Sequence, residues 1–534
     1  MKINTIVASF LLSALLELVV ASFVDTGKDT SAYNRPLIHL TPNVGWMNDP
    51  NGLFYDKKTS LWHAYYQYNP NDTIWGQPLY WGHSSSKDLT HWEEHQVALS
   101  PENDDEGIFS GSIVIDHNNT SGFFDESVDK DQRVVAFYTN STPDSQTQDI
   151  AYSLDGGETF TKYKKNPVVD ANSTQFRDPK VFWHEETNQW VMVVLKSQEF
   201  KIQIFGSRDL KNWDLHSNFT SGYLGNQYEC PGLIRIPIEN TNEFKWVMFL
   251  AINPGSPNGG SSNQYFIGEF DGFEFKQDDS ITRFMDSGKD FYAFQTFSDN
   301  EQDVVGLAWA SNWQYANVVP TNPWRSSMSL ARKYTLGYVN QSVETKILTL
   351  IQTPILNNLD VIDKIEKNNY LLTENDTVIT DFSSSTGLLD FNATFKVVGE
   401  SSNMSSSSKL EILIHSQTSN SSTESIKVGF DTSVSAFYFN RDIPNVEFNN
   451  NPYFTNKFST HVEPAHYDEN DMPVYKIYGM VDKNILELYF NDGTQTMTNT
   501  FFMSEDKYPH QIEIASNVDG QFELESLLVR ELNK

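Results

Sequence analysis

The amino-acid sequence predicts an all-β protein in which a five-bladed β-propeller is followed by a β-sandwich. Two observations support this fold class. Almost every segment with a clear hydrophobic period has the length of a strand, and a loose repeat recurs through the first part of the chain. Helical patterns are few, and the best candidate is a polar stretch at residues 362–368.

Short runs of β-branched and aromatic residues, bounded by Gly, Asn, Asp or Pro, predict the strands. In the first part of the chain they lie at residues 63–68, 134–138, 190–195, 246–251 and 304–309. Beyond residue 370, about seven further strands within roughly 165 residues predict a β-sandwich. They lie at residues 389–398, 410–415, 426–430, 436–441, 474–481, 485–490 and 522–529.

The repeat in the first part predicts the blades. Its fullest copies read Ser-x-Asp-Leu-x-x-Trp, and its aspartates are Asp88, Asp155, Asp209 and Asp271. These aspartates follow one another at spacings of 67, 54 and 62 residues. A unit of this size holds several strands and a closing hairpin, as a propeller blade does, and about five such units fit. A barrel or a β-helix is the rival fold, although we find no short repeat of the β-helix kind.

These patterns divide the chain into a signal peptide at residues 1–21, a propeller at 22–345, a connector at 346–370 and a sandwich at 371–534. The signal peptide is predicted from a basic start, an apolar run and a small residue, Ala21, before the cut. A membrane anchor fits less well, because the apolar run is short and contains a glutamate. We therefore expect a secreted protein, extracellular or associated with the cell wall.

The composition agrees with secretion and limits the partners. Eleven Asn-x-Ser/Thr sites predict a glycosylated surface, and Cys230 is the single cysteine, so no internal disulfide can form. The net charge of -32 argues against nucleic acid and anionic membranes as partners. The sequence has no Gly-x-Ser-x-Gly elbow, Walker A loop, His-Glu-x-x-His or Cys-x-x-Cys motif, so we predict neither a cofactor nor a metal.

Three carboxylates stand beside or close to proline in this strand-rich sequence. They are Asp49 in the stretch at residues 46–52, Asp178 in Arg177-Asp178-Pro179, and Glu229 in Glu229-Cys230-Pro231-Gly232. Proline, asparagine and glycine favour turns, so we expect each carboxylate to be held in a rigid turn where a strand ends. For any one of these motifs, an ordinary structural turn is the simpler interpretation.

A propeller can bring Asp49, Asp178 and Glu229 together at its axis. Three carboxylates in one pocket suit the cleavage of a glycosidic bond, in which one carboxylate is the nucleophile and a second donates a proton. Aromatic residues beside polar turns add the character of a sugar site, although most tryptophans taken singly are core residues. These aromatic residues are Trp46, Trp62, Trp75, Trp81, Phe109 and Trp313.

At these residues the chain resembles the β-fructofuranosidases of glycoside hydrolase family 32, in particular their secreted yeast type. The motifs that carry the resemblance run through nearly the whole mature chain. They lie at residues 46–52, 67–70, 81–83, 109–112, 176–180, 228–232, 286–293 and 491–493. Six or more motifs in order are far more specific than any single one.

The resemblance implies a role for each carboxylate. Asp49 would attack the anomeric carbon of a terminal fructose, Glu229 would protonate the leaving oxygen and later activate water, and Asp178 would stabilise the transition state. The resemblance also implies substrate contacts from Asn48, Gln67, Trp75, Phe109, Ser110, Arg177 and, on a weaker match, Trp313.

This mechanism leads to expectations about protonation. Asp49 must be ionised, so donors should lower its pKa, whereas Glu229 must start protonated and should lie in a more apolar place. Arg177 should keep Asp178 charged. Cys230 is expected to be a buried packing residue whose thiol tunes Glu229.

We therefore expect a retaining enzyme that hydrolyses terminal non-reducing β-D-fructofuranosides, with sucrose as the main substrate and fructosyl transfer to sugars at high substrate. The alternatives are an exo-acting fructanase for inulin or levan and a catalytically inactive carbohydrate-binding propeller. The expected partner is a small sugar, and the resemblance adds a homodimer formed through the sandwich.

Overall fold

The computed structural model describes residues 28–342, 344–374, 377–380, 382, 385–398, 408–416 and 423–534. The predicted signal peptide lies outside these residues. Within them, α-helix is limited to α1 (Ser31–Asn34), and strands make up nearly all of the regular structure. The all-β prediction is therefore confirmed. No helix in this part of the chain is long and apolar enough to cross a membrane.

In the described part of the chain, residues 45–354 form five separate sheets of four or five strands. The first contains β1 (Gly45–Asp56), β2 (Leu61–Asn69), β3 (Tyr80–Ser86), β4 (Trp92–Glu94) and β21 (Trp324–Arg325). The second contains β5 (Gly107–Ile115), β6 (Val134–Ser141), β7 (Gln146–Ser153), β8 (Thr161–Lys162) and β9 (Val169–Asp170). The third contains β10 (Phe176–His184), β11 (Gln189–Lys196), β12 (Lys201–Ser207) and β13 (Asp214–Phe219).

The fourth sheet contains β14 (Tyr228–Pro237), β15 (Phe244–Ile252), β16 (Ser262–Phe270), β17 (Phe275–Gln277) and β18 (Arg283–Phe284). The fifth contains β19 (Tyr292–Thr296), β20 (Val304–Trp309), β22 (Arg332–Asn340) and β23 (Lys346–Pro354). The five strands predicted from apolar runs in this region are β2, β6, β11, β15 and β20, which is the second strand of each sheet. They pair on both edges and are mostly buried, which explains why their sequences are continuously apolar.

The repeated aspartates occupy equivalent positions. Asp88, Asp155, Asp209 and Asp271 each lie in the turn between the third and fourth strands of the first four sheets. Asp88 accepts backbone hydrogen bonds from the turn that follows it, for example from Thr90 N at 3.0 Å. The repeat thus marks a hairpin that recurs once in each of the first four sheets.

The first strand of each sheet faces its counterparts in the other sheets. We call β1, β5, β10, β14 and β19 the inner strands. They contact one another in this order, and β19 contacts β1, so the series closes on itself.

Every inner strand is irregular near its beginning. Its pairing with the second strand shifts between Met47 and Pro50, Phe109 and Gly111, Arg177 and Lys180, Glu229 and Gly232, and Tyr292 and Gln295. Such β-bulges bend a strand and re-aim a side chain. The carboxylate motifs therefore lie inside strands, close to where the strands begin, and the prediction of turns at strand ends was wrong.

The C-terminal part is a β-sandwich of two sheets in the described residues. The first sheet contains β24 (Asp360–Leu371), β26 (Leu388–Val397), β31 (His466–Tyr467), β32 (Pro473–Asp482), β33 (Ile485–Phe490), β34 (Gln495–Thr500) and β36 (Phe522–Asn533). The second contains β25 (Val378–Ile379), β27 (Lys409–Ser416), β28 (Ser425–Asp431), β29 (Ala436–Asn440), β30 (Lys457–His461) and β35 (Pro509–Ser516). Aromatic residues of both sheets, such as Phe395 and Phe430, fill the space between them.

Residues 346–370, predicted as a connector, are strand for most of their length. β23 completes the fifth sheet by pairing with β22, and β24 pairs with β36 in the sandwich. The helix predicted at residues 362–368 was wrong, because these residues belong to β24. This strand lies at a sheet edge and is exposed along most of its length, so its polar sequence lacks the alternation typical of a half-buried strand.

The two parts of the chain are joined by a buried charge cluster. We call His39, Asp286, Arg332, Asp482 and Glu487 the interface cluster. Arg332 lies 2.8 Å from Glu487 and 3.2 Å from Asp286, while His39 lies 2.8 Å from Asp482 and 3.4 Å from Glu487. These side chains are at most 2% exposed.

Candidate active site

The bulge of β1 directs Asp49 toward hydrogen-bond donors. Ser110 Oγ on β5 donates to Asp49 Oδ2 at 2.7 Å, and Asn48 Nδ2 donates to Asp49 Oδ1 at 3.0 Å. Trp46 Nε1 donates to Asn48 Oδ1 at 2.7 Å. This bond fixes the Asn48 amide with its nitrogen toward Asp49, so two neighbouring inner strands hold the carboxylate in one orientation.

Cys230 connects Asp49 to Asp178. Its backbone N donates to Asp178 Oδ2 at 2.9 Å, and its Sγ lies 3.3 Å from Asp49 Oδ2 and 3.8 Å from Asp178 Oδ2. Burial raises the pKa of the Cys230 thiol well above its usual value, and the nearby carboxylates raise it further. The thiol therefore stays protonated and donates to Asp49. We expected it to act on Glu229, and its contacts are instead with the two aspartates.

Glu229, on the bulge of β14, is surrounded by donors on both oxygens. Oε1 accepts from Arg177 Nη2 at 3.1 Å and from Gln227 Nε2 at 3.0 Å. Oε2 accepts from the Tyr292 hydroxyl and from Asn253 Nδ2 at 3.4 Å. The expectation of an apolar place for this group was therefore wrong.

The two aspartates have raised pKa values. Burial raises the pKa of Asp49, the hydrogen bond from Ser110 opposes this, the charge of Glu229 adds to it, and the net change is upward. Burial likewise raises the pKa of Asp178 to about 7, with Arg177 opposing and the charges of Glu229 and Asp49 adding. The donors and the arginine are present as expected, but burial and mutual repulsion outweigh them.

Arg177 is shared between carboxylates and two glutamines. Its Nη2 is 3.1 Å from Glu229 Oε1, whereas its Nε is 4.0 Å from Asp178 Oδ2. Its Nη1 donates to Gln175 Oε1 at 2.8 Å and to Gln146 Oε1 at 3.3 Å. These bonds fix the guanidinium plane beside Glu229, so Arg177 acts more on Glu229 than on its sequence neighbour.

The predicted substrate contacts fall into two groups. Asn48, Ser110 and Arg177 touch the carboxylates directly. Gln67 is buried on β2, and its Nε2 donates to the Ile108 carbonyl of β5 at 2.8 Å. Gln67 therefore joins the first two sheets beside the site and has no contact with a carboxylate among those described.

Trp75, Phe109 and Trp313 form an aromatic rim. The Trp75 ring meets Phe109 and Trp313 edge-on, with centroids 6.4 and 6.3 Å apart. Trp313 also packs on Trp46 at 5.8 Å, and Phe109 directly precedes Ser110. Trp75 is 39% exposed, so the rim has an open apolar face of the kind that sugar rings bind. Trp81 and Trp46, by contrast, are fully buried core residues.

Tyr292, Gln227 and Asn253 contact Glu229, and the sequence did not identify them as site residues. Tyr292 lies within the motif at residues 286–293 and on the bulge of β19, so its place on an inner strand is the signal that could have found it. Gln227 and Asn253 lie outside strands, where only the folded structure shows what they approach.

The five inner strands thus bring these acids and their hydrogen-bond donors to one place. A buried carboxylate held by a hydroxyl, beside a glutamate ringed by donors, provides the two groups that glycosidic bond cleavage requires. Models of the glycosyl hydrolases family 32 N-terminal domain and of the glycosyl hydrolases family 32 C terminal match residues 39–354 and 360–531. The chain therefore belongs to glycosyl hydrolases family 32, as its motifs predict.

Individual relatives are similar over their full length. An invertase of Debaryomyces hansenii is 89% identical over 533 residues, covering 100% of both chains. An extracellular exo-inulinase of Meyerozyma guilliermondii is 54% identical over 516 residues, covering 96% of this chain and 98% of the relative. The structure of β-fructofuranosidase from Schwanniomyces occidentalis complexed with fructosyl-erythritol has a TM-score of 0.94 and 66% identity, covering 96% of this chain and 100% of that one.

Proposed function

We propose that the protein is an invertase that hydrolyses terminal non-reducing β-D-fructofuranosides, sucrose above all, with retention of configuration. The observation that carries this proposal is the convergence of Asp49, Asp178 and Glu229 from three inner strands, linked through Cys230 and Arg177. The high identity to an invertase supports the choice of sucrose.

Asp49 is the proposed nucleophile. The bonds from Ser110 and Asn48 occupy one lone pair on each oxygen and hold the carboxylate still. Because they favour the charged form, they offset part of the effect of burial on the pKa. A fixed, partly desolvated carboxylate is well placed to attack an anomeric carbon and form a fructosyl ester.

Glu229 is the proposed acid and base. When it gives its proton to the leaving oxygen it becomes a carboxylate, and four donors from Arg177, Gln227, Asn253 and Tyr292 then stabilise the new charge. Burial and the charge of Glu229 raise the pKa of Tyr292 well above its usual value, so the phenol keeps its proton and donates throughout. Donors that act on a charge formed during the reaction favour the transition state.

Asp178 is proposed to bind sugar hydroxyls and to stabilise the transition state. Its pKa of about 7 means that in the free protein it holds a proton under mildly acidic conditions, which lowers the repulsion among the three acids. Asn48, Gln67, Ser110 and Arg177 are proposed as polar contacts around the fructose. The rim of Trp75, Phe109 and Trp313 is proposed to pack against the departing sugar.

The arrangement of the five sheets as a five-bladed β-propeller is part of this proposal. It is supported by the cyclic order of contacts among the inner strands and by the hairpin that recurs in each of the first four sheets. The axis of such a propeller is where five bulged strands would present their side chains to one ligand.

Secretion and self-association complete the proposal. A relative whose name describes it as extracellular supports secretion, and N-terminal sequencing of protein from the medium should find a start at Ser22. A homodimer formed through the sandwich is proposed as well. Light scattering on the purified chain should give a mass near twice that of one chain.

A product profile tests the function. Purified protein given sucrose should release glucose and fructose in equal amounts, and methanol as acceptor should give the β-fructoside, because double displacement retains configuration. Formation of the α-fructoside would mean that configuration is inverted, and this would exclude Asp49 as the nucleophile. Comparing sucrose with inulin, at low and high concentration, separates hydrolysis from fructan trimming and fructosyl transfer. No product from any of these substrates would support an inactive binding protein.

A further inference from the structure

The histidine of the motif Trp81-Gly82-His83 takes no part in the proposed reaction. His83 lies on β3 and is fully buried. It stands in a row of four stacked rings that crosses the first sheet, formed by Phe54, His63, His83 and His95. Neighbouring centroids in this row are 4.7, 5.2 and 4.5 Å apart. Three imidazoles in one row are more than packing requires, since other aromatic or aliphatic side chains would fill the same space.

His83 has a nitrogen without a partner. Its Nε2 lies 2.9 Å from His63 Nδ1, whereas its Nδ1 is buried and makes no hydrogen bond with any described residue. A buried imidazole nitrogen without a hydrogen-bond partner is available to bind a metal ion, and imidazole is the commonest metal ligand among side chains.

Two further ligand groups lie beside His83. His95 follows β4, and its Nε2 is paired with Ser85 Oγ at 2.8 Å, which orients the ring. Glu158 comes from the turn between β7 and β8 of the second sheet, and its Oε2 is 3.6 Å from His95 Nδ1. Tyr65 Oη donates to the Gly157 carbonyl at 2.7 Å, and this bond holds the Glu158 turn against the first sheet.

We propose that His83, His95 and Glu158 bind a divalent transition-metal ion, with Zn²⁺ as the best-fitting ion. One ligand atom from each residue lies within 4.8 Å of the other two. Two imidazoles and one carboxylate match the preference of Zn²⁺ for nitrogen and oxygen ligands, with water completing a tetrahedron. Ca²⁺ and Mg²⁺ prefer sites made of oxygen alone and fit less well.

The three ligand groups must move slightly closer together to bind a zinc ion. Zinc-to-ligand distances of about 2.0 to 2.2 Å bring the ligand atoms within roughly 4 Å of one another. The Glu158 side chain is 48% exposed and that of His95 is 24% exposed, so both can move toward the buried His83. The bound ion would then link the first sheet to the second, and the expected effect is on stability rather than on the reaction.

Titration calorimetry with ZnCl₂ tests the proposal on the full-length protein after chelator treatment, in a buffer that does not bind metals at pH 7. We expect one site with a micromolar dissociation constant and a higher melting temperature when zinc is present. His95→Gln and Glu158→Gln should each weaken binding at least tenfold and remove the melting shift. Both positions are partly exposed, so these variants should fold and keep sucrose hydrolysis.

A matched control is provided by another histidine–carboxylate pair. His461 Nε2 lies 3.0 Å from Glu463 Oε1 on the sandwich, and no third ligand group lies beside this pair among the described residues. His461→Gln should leave zinc binding unchanged. The proposal is overturned if the wild type binds no zinc, if Glu158→Gln binds as the wild type does, or if His461→Gln abolishes the site.

Discussion

Two clusters of three carboxylates among the described residues are built in opposite ways. Asp49, Asp178 and Glu229 form the active-site cluster, in which Arg177 lies between two of the acids. The interface cluster also has three acids, but Arg332 and His39 lie among them as cations. With every group charged, the first set carries three negative charges against one positive charge, and the second carries three against two.

Hydrogen bonds from backbone N–H groups to the acids of the interface cluster enlarge the difference between the two clusters. Asp482 accepts from Leu37 N at 2.7 Å and Ile38 N at 2.9 Å, and Glu487 accepts from Leu330 N at 2.7 Å. Burial raises the pKa of Glu487, but Arg332 and His39 lower it by more, to about 2, whereas the pKa of Asp178 is raised to about 7. Buried carboxylates therefore form a structural ion cluster in one place and candidate catalytic acids in the other, according to how the charge is balanced.

The largest expected effect is on turnover. Asp49→Asn removes the proposed nucleophile and one of the crowded charges, so we expect kcat on sucrose to fall by about 10⁴-fold or more. The melting temperature should stay the same or rise, because repulsion in the active-site cluster decreases. Steady-state kinetics and calorimetry on the same preparation check both parts. Turnover that survives the change would remove Asp49 from the mechanism.

Removal of a charged side chain from the interface cluster should lower the stability of the fold. Arg332→Met leaves Glu487 and Asp286 buried without their cation, which we expect to lower the free energy of unfolding by about 3–5 kcal/mol. Lys476→Met removes a cation from the exposed pair with Asp492 and should cost less than about 1 kcal/mol. Denaturant unfolding measures both. Equal losses in the two variants would show that burial does not set the difference.

The pH dependence of stability should report the charge of His39. Burial lowers the pKa of this group, but Asp482 and Glu487 raise it from 6.5 to about 9. Its contribution is therefore complete below pH 6.5 and is lost as the pH rises through 9. Glu487 contributes above pH 4.5 and loses this contribution as the pH falls toward 2.

Together these two groups stabilise the fold most between pH 4.5 and 6.5. His39→Gln should flatten the fall in melting temperature between about pH 6 and 9. The exposed His461→Gln should leave that slope as it is in the wild type. An unchanged slope in His39→Gln would mean that His39 is uncharged in the folded protein.

The smallest expected effect comes from removing the hydroxyl of Ser110, which donates a hydrogen bond to the proposed nucleophile Asp49. Ser110→Ala removes a hydrogen bond that lowers the pKa of Asp49, so this pKa should rise further. The acidic limb of the kcat/KM profile on sucrose should move to higher pH. Ser433→Ala removes the same kind of Ser–Asp bond on the sandwich and should leave the profile unchanged. If the acidic limb does not move, it reports the titration of a group other than Asp49.

The sequence predicted what local patterns determine. The second strand of each sheet was found because pairing on both edges and burial require a continuous apolar run, as in residues 190–195. The edge strand β24 was predicted as part helix, because its exposed sequence has no alternation and only its pairing with β36 defines it.

The residues of the candidate active site also divide into those that the sequence indicates and those that only the fold shows. Asp49, Asp178 and Glu229 could be proposed from the sequence because each lies near a proline in a motif of its own. The donors to Glu229 come from other sheets and loops, so Tyr292 and Asn253 could be assigned only from the fold. The pKa expectations for Asp49 and Asp178 failed because these pKa values depend on burial and on distances between strands that are far apart in sequence.

The bulges of the inner strands restrict which genetic changes the enzyme can tolerate. Loss of a single codon between Met47 and Pro50 would shift the register of β1 and turn its following side chains to the opposite face of the sheet. Insertions in the loops between sheets carry no such penalty. Length variation among descendants of this gene should therefore accumulate in the outer loops, and new substrate preferences should arise there or by substitution.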